Sequence, residues 1–322
     1  MLGTPFFFQV RAKRVHCQLF VTSGLVSTTA FFLVILAGLI HALWNIAAKK
    51  AGGDVRFAGL TALIMAVVWA PVGLYVGKDV IGAWGYLEWT FIGLSGILHV
   101  LYFIVLLRGY RKADLTVVYP LARGSGPLLS STIAILFLGE HLSLIGGLGI
   151  IAVVSGVFLI AGGPRLLRSL QDEHHDIEQQ YRIRRGLFYG LFTGVFIAAY
   201  TVLDGYAVKV LVMSPILVDY FGNYARLAIL LPSMLRDRKQ TLASWKKEWK
   251  YAVIVATISP ISYVLVLFAM QAAPLSHVAP AREVSMLFAA LIGGHLLDEG
   301  DRIQRILGAV CIAVGVIALA NF

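Results

Sequence analysis

Three arginines and three carboxylates stand inside otherwise apolar stretches of this chain: Arg123, Arg226 and Arg282, with Asp204, Asp219 and Glu283. An ionisable group at bilayer depth costs about 2.5–3.5 kcal/mol on insertion scales, so it faces a cavity or a partner. A forked guanidinium donates two parallel hydrogen bonds, and Arg123 or Arg282 therefore suits a carboxylate or phosphonate on a solute. Asp204, Asp219 and Glu283 suit the uptake and release of a proton. The same groups also suit structural ion pairs that hold helices in register. Both uses predict charges that face inward.

Other polar and aromatic residues recur at helical spacing beside them. His41, Trp44, Asn45 and Ala48 share one face, as do His99 and Tyr102, Tyr119 and Arg123, and Tyr200 and Asp204. Asp219, Asn223 and Arg226 form a further stripe beside Tyr220 and Tyr224, and Ser262 with Tyr263 and Ser285 with Glu283 add to the set. The expectation is a polar, aromatic-lined central cavity. Its residues are His41, Trp44, Asn45, His99, Tyr102, Tyr119, Arg123, Tyr200, Tyr224, Arg282 and Glu283, with Asp204, Asp219 and Glu283 as proton-coupling groups. The plain alternatives are an interface histidine held by a hydrogen bond and a belt of tyrosine and tryptophan at the membrane surface.

The elements that carry these residues are legible from composition. The 322 residues are 59% hydrophobic and 14% charged, with a mean hydropathy of +0.82. Soluble domains average about 25% charged, so this chain cannot coat a globule. Apolar runs near twenty residues, the length of a membrane-crossing helix, occur at roughly 27–48, 57–77, 87–108, 115–138, 143–162, 186–208, 214–235, 251–271, 275–297 and 302–321. They are continuous rather than alternating, which excludes a transmembrane β-barrel. The fold class is all-α integral membrane, with ten helices. A formal charge of +10 is carried by the short segments between runs, the pattern of membrane topology rather than of nucleic-acid binding. Cys17 and Cys311 form no spacing motif.

The runs divide into two related halves. Lys49 and Lys209 lie 160 positions apart, as do Ala113 and Ala273, Leu115 and Leu275, Pro120 and Pro280, and Ser125 and Ser285. Glu140 matches Glu299, and Gly149 matches Gly308, at 159. Five spans are an odd number, so the second half enters the membrane from the opposite side, an inverted repeat of the kind found in secondary transporters. The expected organisation is a tail at 1–26, a five-helix repeat at 27–162, a hydrophilic linker at 163–185 and a second repeat at 186–322. The basic cluster Arg11–Arg14 opposes the orientation that the other loops indicate, and suggests that translation starts near Val21 or Val26. Basic residues concentrate in loops 1–2, 3–4, 5–6, 7–8 and 9–10, which makes loops 5–6 and 7–8 cytoplasmic in a cell membrane.

Competing chemistries are weaker. Gly93-Leu94-Ser95-Gly96 has the form of an intramembrane serine-protease string, with His99 or His277 as a conceivable base. Such short strings arise by chance in a glycine-rich chain, and no catalytic residue is assigned. No phosphate-binding loop is present. His174-His175 reads as solvated loop rather than a metal site, and no cofactor is expected. The partners are a small solute and the lipid bilayer, with the chain acting as monomer or homodimer.

Three segments carry a family resemblance. "HALWNIAAKKAGGD" at 41–54 resembles the first helix of EamA-like members of the drug/metabolite transporter superfamily. The stretches 113–160 and 273–320 resemble the fourth and fifth helices of that family's repeat, twice over. The resemblance implies two five-helix repeats, a cavity between them, and secondary transport of small metabolites or drugs, often as proton-coupled export, with uncoupled diffusion through the same fold as the alternative. It also aligns Glu140 and Glu299 with the family's loop carboxylates, which physically suit capping of a helix N-terminus.

Overall fold

A bilayer has no water for backbone groups, so each apolar run must satisfy its own N–H and C=O groups as helix. The structure is a computed structural model that describes residues 28–51, 54–113, 115–161, 163, 177–294 and 302–320. The tail 1–26, most of the linker with His174 and His175, and Glu299 lie outside the described residues. The described residues are mostly helical, with short turns and loops between helices, and contain no strand.

The first half holds α1 (Thr28–Ala51), α2 (Val55–Val68), α3 (Ala70–Gly77), α4 (Tyr86–Lys112), α5 (Leu115–Phe137) and α6 (Leu144–Ile160). The second holds α7 (Ile177–Lys209), α8 (Pro215–Arg236), α9 (Arg238–Ala272), α10 (Leu275–Ala281), α11 (Val284–Gly294) and α12 (Arg302–Ala320). Asp54 caps α2 by accepting the N–H groups of Arg56 and Phe57 at 2.8 and 3.1 Å, and Ser143 caps α6 through the Gly146 N–H at 2.9 Å. Five helices, namely α1, α4, α7, α9 and α12, are long and apolar enough to cross a membrane. A sixth span is added if α2 and α3 are taken together.

Two runs expected to be single helices are broken. The second bends by 55° between α2 and α3, at Trp69, because Pro71 in the first turn of α3 has no N–H to continue the ladder. The ninth breaks between α10 and α11, at Arg282 and Glu283. Pro280 there leaves the Ser276 carbonyl without its helical donor, and the Ser131 hydroxyl supplies one at 3.1 Å. The next turn tightens, with Glu283 N–H donating to Pro280 O and Met286 N–H to Glu283 O. Two other runs are longer than expected. α7 begins at Ile177, inside the expected linker, and α9 begins at Arg238, capped by Asp237 through Gln240 N–H. Lys239, Lys246, Lys247 and Lys250 therefore lie on helix rather than in a loop.

Packing runs mainly between the halves. α12 lies against α6, α7 against α4 and α5, and α9 against α1 and α2. A central cluster including Val34, Ala37, Val153, Leu267, Met270 and Ile312 is almost fully buried. The α6–α12 pair is antiparallel and touches backbone to backbone. A Cβ built on Gly156 would sit 2.5 Å from Gly308 O, and one on Gly308 would sit 2.7 Å from Gly156 O. Gly149 and Gly315 face each other in the same way, at 3.0 and 2.7 Å. Only residues without a Cβ permit this approach.

Gly156→Val should therefore push α6 from α12 and lower the apparent melting temperature of the detergent-purified protein. Overpacking of this kind costs about 1–3 kcal/mol. Gly93→Ala, where a Cβ meets nothing within 4 Å, should leave melting unchanged or slightly raised. Equal effects of the two changes would contradict the packing account.

Candidate functional site

The break between α10 and α11 projects two charged side chains into the centre of the bundle. Glu283 is 1% exposed and Arg282 is 9% exposed. Arg123, from α5, approaches Glu283 with Nη2 at 2.7 Å from Oε2, and its Nη2 also lies 3.4 Å from the Ser285 hydroxyl. Arg282 Nε is 3.9 Å from Glu283 Oε1. One turn back on α5, the Tyr119 hydroxyl points at Met286 Sδ, at 3.3 Å. His41 of α1 lies within the electrostatic reach of both arginines, and its ring packs edge-on against Trp44 with centroids 4.7 Å apart. The Trp44 indole N–H is buried without a partner among the described residues.

A second polar group adjoins the first. Asp204 of α7 is 1% exposed and accepts a hydrogen bond from the Tyr263 hydroxyl of α9 at 2.5 Å. His99 Nδ1 lies 2.9 Å from Ser95 O. Its ring stacks on Tyr200, with centroids 4.1 Å apart, and meets Tyr263 edge-on at 5.6 Å. Tyr102 packs edge-on against Tyr200. Asp219 does not join this group through a partner helix. It pairs with Arg226 on its own helix, Nη2 to Oδ1 at 3.0 Å.

The structure thus gathers His41, Trp44, His99, Tyr102, Tyr119, Arg123, Tyr200, Arg282 and Glu283 around the break, with Asp204 alongside. Asn45 and Tyr224 depart from the expectation. The Asn45 amide is exposed and donates back to His41 O at 2.9 Å, a local helix contact. The Tyr224 hydroxyl is engaged by Tyr220 at 2.9 Å and faces Ala66 O of α2. Helical spacing sets which residues share a face, but not which neighbour that face meets. A cavity of about 430 Å³ lies elsewhere, lined by Leu87, Phe91, Ile133, Val202, Tyr206 and Leu211. It is apolar and includes none of the charged groups. The charged residues instead pack against one another.

At one end of the bundle the halves are tied by Glu140. Its carboxylate accepts the N–H groups of Leu275 and Ser276, both at 2.8 Å, which caps α10 from the other half. Lys209 Nζ lies 3.1 Å from Glu140 Oε1 and donates to Ala273 O at 3.1 Å. Burial works to raise the Glu140 carboxyl, but Lys209 and the two backbone donors outweigh it and hold it below the usual glutamate range. The recurrence of Lys49/Lys209 and Glu140/Glu299 in sequence flags these residues, although it does not show that they meet. A carboxyl held low adds stability above its ordinary pKa and loses it as pH falls through the lowered value. Glu140→Gln should therefore cost about 1.5–3 kcal/mol at neutral pH. That gap between variant and parent melting should close as pH drops below about 4. A gap independent of pH would assign the loss to something other than the charge.

Comparison with known proteins agrees with this architecture. The sequence model of the EamA-like transporter family matches residues 28–162 and 184–321. A solved crystal structure of another protein superimposes with a TM-score of 0.69 at 15% identity, over 91% of this chain and 97% of that one, a likeness that shows the fold. No curated protein matches the sequence.

Proposed function

The chain belongs to the EamA-like transporter family, and from that premise we propose that this multi-pass membrane protein is a secondary transporter. It moves a small solute across the cell membrane by alternating access, as a proton-coupled exporter. Ten spans follow when α5, α6, α8 and the α10–α11 pair join the six longer ones, and the two five-helix halves are inverted relative to each other.

One observation carries the reading. Arg123 and Glu283 occupy equivalent places in the two repeats, 160 positions apart, and they touch. Equivalent residues can meet only near the axis that relates the halves. The glycines behave likewise, because an offset of 159 turns the Gly149–Gly315 contact into Gly308–Gly156. Charged groups on that axis, at a broken helix, are where the two halves can rock about a solute.

Proton coupling is assigned to Asp204. Arg123 and Arg226 each have a carboxylate partner, whereas Asp204 accepts the Tyr263 hydroxyl and forms no ion pair among the described residues. A buried acid without a cationic partner gains and loses a proton without breaking an ion pair. Loops 5–6 and 7–8 face the cytoplasm in this scheme, as the positive-inside rule requires.

The test is flux in liposomes reconstituted with the purified protein, using labelled monocarboxylates, amino acids, phosphonates, sugars, nucleosides and cationic drugs. Saturable flux accelerated by a pH gradient is expected. Asp204→Asn should keep exchange of labelled for unlabelled solute and lose the response to the gradient. Flux that ignores the gradient in the parent would replace coupling by uncoupled diffusion. Absence of saturable flux across the whole panel would end the transport reading.

A further inference from the structure

The central cations are not equally occupied. Arg226 lies 3.0 Å from Asp219, and Arg123 lies 2.7 Å from Glu283. Arg282, more than nine-tenths buried, has one ion-pair contact among the described residues, and that is Glu283 at 3.9 Å from Nε. Glu283 is already held by Arg123 at the shorter distance. The five N–H donors of its guanidinium thus find no hydrogen-bond acceptor among the described residues, in a setting where an unmet donor is costly.

Its location is also distinctive. Arg282 sits in the turn between α10 and α11, where the backbone is interrupted and the side chain leaves the helix. Its charge reaches His41 on α1, His99 and Tyr102 on α4, Tyr200 on α7 and Tyr263 on α9. Arg123 shares much of this surrounding, with His41, Tyr102 and Tyr200 in reach, but it is held by Glu283 at 2.7 Å. We propose that Arg282 is the anion-binding residue of the transport site, and that the solute it receives is a small monocarboxylate. This rests on the transport reading of the same site.

The charge count selects the class. Arg123 and Glu283 cancel, as do Arg226 and Asp219, and in the state where Asp204 carries its proton this leaves one guanidinium with its donors open. A carboxylate carries a single charge and matches the two parallel N–H groups of the fork. A phosphate monoester carries nearly two charges at neutral pH and would need a second free cation. Freeing Arg123 for that role would strand Glu283. The rings of Tyr200, Tyr102 and His99 form the adjoining wall and would receive the apolar body of such a solute.

The experiment is thermal stabilisation of the purified full-length protein by acetate, propionate and phenylacetate. Each is set against its neutral amide, with phenyl phosphate alongside. A native-state ligand raises apparent stability by mass action. The carboxylates should raise the melting temperature, while the amides and the phosphate should not. Arg282→Gln should abolish the shift, and Arg282→Lys, which keeps the charge but loses the fork, should weaken affinity roughly tenfold. Should the Gln variant fail to fold, the Lys variant decides. The assignment is overturned by equal stabilisation from acid and amide, by no stabilisation from any of the three acids, or by an unchanged carboxylate response in the variants. Carboxylate binding without flux in liposomes would end the transport reading and leave the anion site standing. Saturable flux of another solute, unaltered in Arg282→Gln, would do the reverse.

Discussion

The Arg123–Glu283 ion pair is the contact on which the rest of the arrangement turns. Glu283 is almost fully buried, and removing one member of such a buried pair costs about 3–5 kcal/mol. It joins α5 of the first half to the break between α10 and α11 in the second. The pair fixes where the break lies relative to α5. It also leaves the neighbouring Arg282 beside a carboxylate that is already occupied. Position and availability thus come from one interaction.

The remaining contacts between the halves are of two kinds. α6 and α12 close on each other through glycines whose backbones touch, a rigid contact with no side chain to rearrange. Glu140 ties the halves at one end through three polar contacts, to Leu275 N–H, Ser276 N–H and Lys209. Those contacts are exchangeable with water once the end opens. A close-packed pair together with a polar latch suits halves that rotate about one contact and part at another.

Much of this was readable from residue types. Continuous apolar runs marked the spans, and the recurrence of Lys49/Lys209, Pro120/Pro280 and Gly149/Gly308 marked two related halves. Spacing also grouped Tyr200 with Asp204 and His99 with Tyr102. Other features were hidden, each for a physical reason. Pro120 and Pro280 are equivalent in sequence, yet α5 continues through its proline whereas the ninth run breaks after its own. The difference lies in the charged residues that follow Pro280 and in the Ser131 hydroxyl, contributed from the other half, that takes the Ser276 carbonyl. The stripe of Asp219, Asn223 and Arg226 does carry buried groups, but spacing did not show that Asp219 and Arg226 pair with each other along one helix. Asn45 shares its face with His41 but returns to its own backbone. Basic residues at 239–250 read as loop because apolar periodicity ends there, although a capped, lysine-rich segment extends α9.

A charge exchange between the paired residues tests the central claim most directly. Arg123→Glu and Glu283→Arg should each lower the apparent melting temperature of the purified protein sharply, because each leaves two like charges buried together. The double variant Arg123→Glu/Glu283→Arg should recover most of the loss, since it restores opposite charges at the contact. Harmless single variants, or a double variant as damaged as the sum of the two, would contradict the view that this contact joins the halves.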